Sequence, residues 1–511
     1  MRNASYRLAF SILVASGLCG GALAACSGDD PASAPAAPSG PDSSGTDSSN
    51  GGFDATADTS TIDASPDASD ASDASVAPTQ TAWTTGFGGT AFDRADAIVF
   101  DGSGNAYVSG HFSGQLGIGT VDGGVVDGGA LDGGGGAALV AKLDPNGNLL
   151  WVKQVGPFAT GTSLQLDPAG NVFLGFGFTG TINVGGQDLV SAGAIDIAFV
   201  KLDAGSGNVL LAKRFGGAGS DVLNSLALSA GAIILGGHYS AAVDFGLGSH
   251  PNVGNSDGFI LALDANGTPV FDKAFGGPLD DDAFDLAIDS TGNVVATGRM
   301  SGSIDFGGGP VVSSGSSDGY LVVYSSTGVF VRSQRWGGAG YDDGEGLAFD
   351  AANNLYVTGY FNGSLDFGGG AITSTTQGSA FVFSQGSNAA HRWSKALAGS
   401  DQSYPGFEKP LAVDGAGNVV LTGSYKATID LGGGTLTSKG ASDVYFVKLT
   451  TMGTHVWSKS YGGTGDDNGN GVALSAAGWA GLAGDFAGMG TFDSTVLTSA
   501  GLNDCFALTT K

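Results

Sequence analysis

The sequence has few cysteines and few basic residues. Only three of its 511 residues are cysteine, and 20 Lys and Arg stand against 48 Asp and Glu, giving a formal charge of −28. Cys19 and Cys26 lie near the amino terminus, which leaves Cys505 as the one thiol of the long body, so no disulfide can form there. The acidity argues against nucleic acid as a partner, because both molecules would be polyanions. Packing alone must stabilise this chain.

Recognisable catalytic and helical patterns are also missing. Neither H-E-x-x-H nor C-x-x-C occurs, and the five histidines are scattered. Residues 254–258 and 315–319 match G-x-S-x-G, but a nucleophile elbow precedes a helix, whereas both stretches precede a predicted strand. No useful length of sequence has helical periodicity. The sequence offers no convincing catalytic site.

Residues 1–25 have the layout of a secretory signal peptide. Arg2 and Arg7 precede a short apolar stretch at 8–18, and small residues lead to LAAC at 23–26. LAAC resembles the lipobox of bacterial lipoproteins. The resemblance implies lipidation of Cys26, a membrane partner through that anchor and, with Ser27 next, an outer-membrane or cell-surface location. The alternative is an ordinary signal peptide with an incidental cysteine.

Residues 26–80 are predicted to be a disordered linker. Residues 27–80 contain ten Asp and no Lys or Arg, and 63–75 read DASPDASDASDAS. Such a composition buries too little apolar surface to offset chain entropy, and its like charges extend it. We expect it to hold the body, residues 81–511, away from the membrane.

A unit of about sixty residues recurs through the body. It is marked by seven similar stretches, which are WTTGFGG (83–89), WVKQVGP (151–157), LAKRFGG (211–217), FDKAFGG (271–277), RSQRWGG (332–338), WSKALAG (393–399) and WSKSYGG (457–463). Each unit reads as four short apolar strands joined by Gly- and Asn-containing turns. Sheets that are apolar on both faces must be covered on both sides, which predicts a propeller.

The fold prediction is an all-β, seven-bladed β-propeller of four-stranded antiparallel blades. The last unit lacks its fourth strand and the body begins with an orphan one, so strand 81–88 should pair with strand 503–510 and close the ring. The predicted blades are approximately 88–155, 156–215, 216–275, 276–336, 337–397, 398–461, and 462–511 with 81–87.

The body is identified as similar to the β-propeller repeats called SBBP and to repeats of about sixty residues in delta-proteobacterial surface proteins. The resemblance is carried by strands such as NNLYVTG (353–359) and by hairpins such as KLDPNGNLLW (142–151). It implies an extracytoplasmic propeller.

An aspartate recurs at the start of five units, where the chain crosses to the next blade. These residues, possible cation-binding or turn-capping groups, are Asp93, Asp221, Asp281, Asp342 and Asp467, and the series is broken at Gly161 and Ser403. They could bind Ca²⁺, the one cofactor considered, or cap backbone N–H groups; we favour capping, because calcium needs several oxygens converging on one point. A second series at the start of the third strand is interpreted as strand-start or turn residues, namely Asp196, Asp257, Asp318, Asp443 and Asp504.

The sixth unit is the most divergent and gives the candidate ligand loop. Its stretch 398–410 adds Tyr404, Glu408 and Lys409 where the propeller mouth is expected. The first functional hypothesis is a lipid-anchored binding scaffold for a protein or glycan, because propeller function lies in the loops. The alternative is an extracytoplasmic carbohydrate-active hydrolase or lyase using mouth carboxylates.

Overall fold

A computed structural model describes residues 81–118, 131–132, 136–157, 160–229, 231–375 and 377–510. The predictions for the signal peptide, Cys26 and the linker lie outside these residues. The described part is all-β, without a helix, and its architecture is a β-propeller. Consequently, the described part contains no helix long and apolar enough to cross a membrane.

The strands follow the repeats. The first repeat and the segment before it contain β1 (Thr81–Gly88), β2 (Arg94–Phe100), β3 (Ala106–Phe112), β4 (Gln115–Ile118), β5 (Leu131–Asp132), β6 (Ala137–Leu143) and β7 (Leu149–Pro157). The second contains β8 (Thr160–Leu166), β9 (Val172–Phe178), β10 (Thr181–Val184), β11 (Gln187–Val190), β12 (Asp196–Leu202) and β13 (Val209–Phe215). The third contains β14 (Asp221–Ser229), β15 (Ala232–Tyr239), β16 (Val243–Asp244), β17 (Ser249–His250), β18 (Asp257–Leu263) and β19 (Pro269–Phe275).

The remaining repeats have the same order of elements. The fourth contains β20 (Asp282–Ile288), β21 (Val294–Met300), β22 (Ser303–Asp305), β23 (Pro310–Val312), β24 (Asp318–Tyr324) and β25 (Phe330–Trp336). The fifth contains β26 (Gly346–Phe349), β27 (Leu355–Phe361), β28 (Ser364–Asp366), β29 (Ala371–Thr373), β30 (Ser379–Gln385) and β31 (His391–Leu397). The sixth contains β32 (Ser403–Pro405), β33 (Leu411–Val413), β34 (Val419–Tyr425), β35 (Thr428–Asp430), β36 (Thr435–Thr437), β37 (Asp443–Leu449) and β38 (His455–Gly463). The seventh contains β39 (Asn468–Leu474), β40 (Ala480–Phe486), β41 (Met489–Phe492), β42 (Thr495–Thr498) and β43 (Asp504–Thr510).

The long strands of each repeat pair antiparallel in chain order. Five sheets have four strands, namely β2-β3-β6-β7, β8-β9-β12-β13, β14-β15-β18-β19, β20-β21-β24-β25 and β26-β27-β30-β31. Two sheets are larger than predicted, because short hairpins pair with their last strands: one runs β39-β40-β43-β1-β4-β5, and the other runs β34-β37-β38-β41-β42, with β32 and β33 both pairing with β34. The first strand of the sixth repeat is therefore split in two.

The first described strand pairs with the last one. In the antiparallel register of β1 and β43, Thr84 lies opposite Leu508 and Phe87 opposite Cys505. The first strands of the repeats also contact one another in order, β2 with β8, β8 with β14, β14 with β20, β20 with β26, β26 with β33, β33 with β39, and β39 with β2. These strands therefore surround a common axis, which is the central channel of the propeller.

The core lies between neighbouring sheets. Tyr107 and Val140 of the first repeat pack in one apolar cluster with Leu164 and Phe176 of the second. Because both faces of a middle strand are covered in this way, all seven residues of β3 are buried. This explains why the strand sequences are continuously apolar rather than alternating.

The loops between second and third strands contain short hairpins that the sequence interpretation missed. DFGGG at 305–309 contains the turn between β22 and β23, where the Asp305 carboxylate accepts the N–H groups of Gly307 and Gly309 at 2.7 and 2.9 Å. Strands of three residues are too short for a pattern to reveal.

Candidate functional site

The five recurrent aspartates lie where the chain crosses between sheets, and all are buried. Each accepts the backbone N–H of the residue four positions earlier, which for Asp281 is Gly277 at 2.6 Å. Four also accept the N–H of the residue that directly follows the second strand; Ser301 donates to Asp281 at 2.7 Å. This contact joins the crossover to the sheet that follows it. The geometry is that of a turn cap.

Burial acts strongly on these carboxyl groups. It raises the pKa of Asp221 to about 6 and those of Asp281 and Asp467 to about 7, although the N–H donors lower each pKa in part. Burial likewise raises the pKa of Asp93 and Asp342. The crossover carboxyls are therefore easier to protonate than ordinary ones.

The second aspartate series faces the first across a glycine. A methyl group on Gly462 would lie 2.5 Å from Asp467 Oδ2 and 3.0 Å from Asp443 Cγ, and the φ of Gly462 is 141°. Only glycine fits between the two carboxyls. Among the described residues, no group of three or more His, Cys, Asp or Glu side chains is arranged to hold a metal ion.

The breaks in the series have structural reasons. Ser403 replaces the carboxylate with a hydroxyl that donates to the Leu397 carbonyl at 2.5 Å and accepts the Ala380 N–H at 3.0 Å. At Gly161, a Cβ atom would lie 3.2 Å from Glu408 Oε1. The missing side chain at Gly161 therefore makes room for Glu408, which comes from the sixth repeat.

The candidate residues of the sixth repeat, predicted to lie at the propeller mouth, have little exposed surface. Tyr404 is buried and stacks on Tyr360, with ring centroids 5.0 Å apart. Lys409 Nζ donates to Asp285 Oδ1 of the fourth repeat at 2.6 Å, and Glu408 Oε1 lies 3.9 Å from the Arg94 guanidinium of the first. Since these partners belong to other repeats, the sixth repeat sends two charged side chains across the channel.

Sequence reasoning missed two charged clusters at this mouth. In the first, Asp96 contacts Arg94 Nε at 2.5 Å and His111 Nδ1 at 3.6 Å, and the Arg94 guanidinium lies over the Phe407 ring. Burial alone would raise the pKa of Asp96, but Arg94, His111 and a hydrogen bond from Thr162 lower it to about 2.

The second cluster has the same composition. Asp282 pairs with Arg299 and lies 2.7 Å from His238 Nδ1, while the Arg299 guanidinium lies over Phe284. One signal could have revealed both clusters, because Arg94 and Arg299 are two of only six arginines in residues 81–511. Arg94 stands two residues before Asp96 on the first strand, and Arg299 lies opposite the first-strand acid Asp282.

Comparisons with known proteins leave the family open. No protein-family model matches the chain, and no curated protein matches it significantly. A protein of unknown function from Dyadobacter fermentans is similar in structure at 8% identity and TM-score 0.39, over 84% of this chain and 98% of that one. A chain of a mitotic checkpoint complex is similar at 10% identity and TM-score 0.43, over 84% of this chain and 95% of that one. A europium-containing methanol dehydrogenase is similar at 10% identity and TM-score 0.37, over 84% of this chain and 93% of that one. At such identities and TM-scores, none of them indicates a ligand or a chemistry.

Proposed function

We propose that residues 81–511 form a closed seven-bladed ring of SBBP type. The cyclic order of contacts among the first strands supports this, as does the pairing of β1 with β43, which supplies the strand that the last repeat lacks. A ring without a free sheet end needs no capping repeats. The blades would then begin at the crossover aspartates or their substitutes.

We also propose that the protein is an exported lipoprotein, anchored through Cys26 in the outer membrane and displayed at the cell surface. This location is supported by the lipobox-like LAAC sequence and by the acidic stretch at 27–80, which contains no Lys or Arg. The tether would present the propeller to soluble or surface-bound ligands.

The function that the geometry supports best is a binding scaffold whose ligand site is the acidic channel mouth. The single observation that carries it is the charge of the residues around the channel. Seven acids lie there against three bases: Asp96, Asp282, Asp285, Asp343, Glu345, Glu408 and Asp485 against Arg94, Arg299 and Lys409. In a partly buried setting such an excess attracts positive charge strongly. We therefore propose a basic segment of a protein as the ligand.

A carbohydrate-active hydrolase or lyase is less well supported. Two carboxyls near Arg94 do have pKa values displaced in opposite directions, since the pKa of Asp96 is about 2 and burial raises that of Asp485. However, Asp96 is fully buried and Asp485 is 2% exposed, so neither can reach a glycosidic bond without rearrangement. Electrostatic attraction of a basic segment acts over a distance, so binding does not need these two carboxyls to be exposed.

The test uses intact Gram-negative cells that produce the full chain and a fluorescent deca-lysine peptide as the probe. We expect surface binding that is lost from the cells in a Cys26→Ser variant and appears in soluble fractions. Glu408→Gln with Asp343→Asn should weaken the affinity at least fivefold without changing the anchor, because two mouth charges are removed.

The matched control is Asp188→Asn with Asp244→Asn, which removes two exposed charges from the β10–β11 and β16–β17 hairpins at the rim. It should change the affinity less than twofold. Equal weakening by the rim and mouth substitutions would show that only the net charge matters, and the mouth would no longer be the site. Retention of Cys26→Ser protein on the cells would contradict the lipid anchor.

A further inference from the structure

A cavity of about 1000 Å³ opens on the opposite face of the propeller, where the first strands end. Three consecutive repeats line it. Phe100, Leu166 and Leu228, each at or next to the last position of a first strand, provide half-buried apolar surface. Polar and apolar groups contribute about equally to its lining, and its volume is in the range of small-ligand sites.

Two cross-strand pairs distinguish this part of the ring. Lys142 lies opposite Tyr107, and Lys201 lies opposite Phe173, with each ammonium 4.8 Å from the centre of the ring beneath it. At the same positions the third repeat has Ala262 with Ile234, and the sixth has Lys448 with Val420. Among the seven repeats, only the first two, which are neighbours, combine a lysine with an aromatic ring.

The charges of the cavity are balanced, unlike those of the rest of the body. Lys142 Nζ is 3.7 Å from Asp101 and donates to the Ala204 carbonyl at 3.1 Å, while Lys201 Nζ is 3.2 Å from Asp167. Residues 81–511 contain 18 basic and 38 acidic side chains, so two lysines matched by two aspartates in one cavity are an exception. Neither a cation nor an anion gains net Coulomb energy there.

The polar groups suit hydroxyls. A hydroxyl both donates and accepts, so it can contact the carboxylate and the ammonium of one pair together. The side chains of Lys201 and Asp167 are 22% and 20% exposed, and Ser103 and Ser229 add hydroxyls at the edge. The apolar floor and the ring of Phe100 suit the C–H faces of a sugar ring.

We propose that this cavity binds a neutral oligosaccharide, with Lys142–Asp101 and Lys201–Asp167 contacting ring hydroxyls. The site is separate from the channel mouth and does not depend on it.

The experiment is isothermal titration of the full-length protein with cellohexaose, maltohexaose and the hexamer of N-acetylglucosamine, and with hexagalacturonate as a charged counterpart. We expect at least one neutral hexamer to bind. Lys142→Thr with Lys201→Thr should weaken that binding at least tenfold; threonine occupies this position naturally as Thr509 in the seventh repeat. Lys448→Thr is the matched control and should leave the affinity within twofold.

A second variant distinguishes loss of the binding site from misfolding of the lysine variant. Ser103 lies in an exposed turn at the cavity edge, so Ser103→Trp should block the cavity without changing either lysine pair and should also abolish binding. Glu408→Gln at the other mouth should have no effect on the sugar. Binding of none of the neutral hexamers, preference for hexagalacturonate, or unchanged affinity in the lysine or Ser103 variants would overturn the proposal.

Discussion

At the residue scale, Lys409 holds a buried charge in place. Asp285 is fully buried, and its carboxylate accepts hydrogen bonds from Lys409 Nζ, the Ser225 hydroxyl and the Leu347 N–H. Removing the ammonium would leave a buried carboxylate without its cation, which typically costs about 3–5 kcal/mol. The pair therefore stabilises the channel wall only as a unit.

We expect Lys409→Met to lower the free energy of unfolding by about 3 kcal/mol or more in denaturant titrations. Lys409→Met with Asp285→Asn should be less destabilised than the single variant, because the orphaned charge is gone. Lys439→Met, at an exposed position, is the control and should cost less than about 0.5 kcal/mol. A single variant as stable as the control would mean that Asp285 is not held by Lys409.

The sequence could predict that the sixth repeat was unusual, but not what its side chains contact. Its divergence from the other repeats was visible in residues 398–410. The partner of Lys409 lies 124 residues earlier, and nothing in a repeat alignment marks two residues that meet across an axis. The crossover aspartates were a better case, because an N–H four residues earlier is a local partner that turn chemistry predicts.

At the element scale, the repeat pattern predicted the long strands well and the short ones poorly. Gly-Asn turns after aspartate mark the ends of the first strands: Asp289 Oδ1 accepts the N–H groups of Thr291 and Asn293, each at 2.9 Å, and Gly292 has φ 86°. The short hairpins and the split of β32 from β33 were missed, since three-residue strands have no periodicity. The positions of these short strands depend instead on contacts with neighbouring sheets.

The fourth strands of the repeats carry a recurrent lysine. It lies at the third position of the seven similar stretches in five repeats, as Lys153, Lys213, Lys273, Lys395 and Lys459. A charged side chain on an exposed edge discourages pairing with another chain. Since β7, β13, β19 and β31 are sheet edges, four of these five lysines lie where association with another chain would otherwise begin.

Deleting β1 should affect the whole propeller, although the strand has only eight residues. Its loss would uncover β43, which is buried along its length, and would remove the Phe87 side chain from the core. We expect the variant lacking residues 81–88 to elute as oligomers in gel filtration and to unfold at least 10 °C lower. Removing residues 63–70, from the stretch predicted to be a linker, is the length-matched control and should change neither property. A monomeric β1 deletion with an unchanged midpoint would contradict the sealing role of this strand.

At the scale of the whole molecule, two sets of aspartates titrate in opposite directions. Burial raises the pKa of the crossover carboxyls, up to about 7 for Asp281 and Asp467. The aspartates of the hairpin turns behave differently: for Asp101 and Asp350, burial raises the pKa but hydrogen bonds, from Asn105 and Asn354 first, outweigh it and lower the pKa below its usual value. Protonation of the crossover carboxyls therefore favours the folded protein, whereas the hairpin turns are favoured by ionised carboxylates.

The sign of the pH dependence follows from linkage. A carboxyl with a higher pKa in the folded protein binds its proton more tightly there, so folding gains stability as pH falls from about 7 towards the unfolded pKa near 4, and loses it as pH rises through that window. The turn carboxyls act below about pH 4, where their protonation favours unfolding. Stability should therefore peak at about pH 4–5 and decline on both sides.

Thermal unfolding of the full chain between pH 3 and 8 tests this balance, with a midpoint several degrees higher at pH 4.5 than at pH 7.5. Because loss of net charge alone could also favour the acid side, the crossover carboxyls are isolated with Asp281→Asn and Asp467→Asn. Asparagine resembles the protonated carboxyl, so these variants should show a smaller change of midpoint between pH 4.5 and 7.5, even if their midpoints are lower.

The control is Asp188→Asn, which changes the net charge by the same amount as either single variant and should keep the full change of midpoint with pH. A midpoint that rises steadily from pH 4.5 to 7.5 would mean that the crossover aspartates are ionised in the folded protein and that their N–H donors outweigh burial.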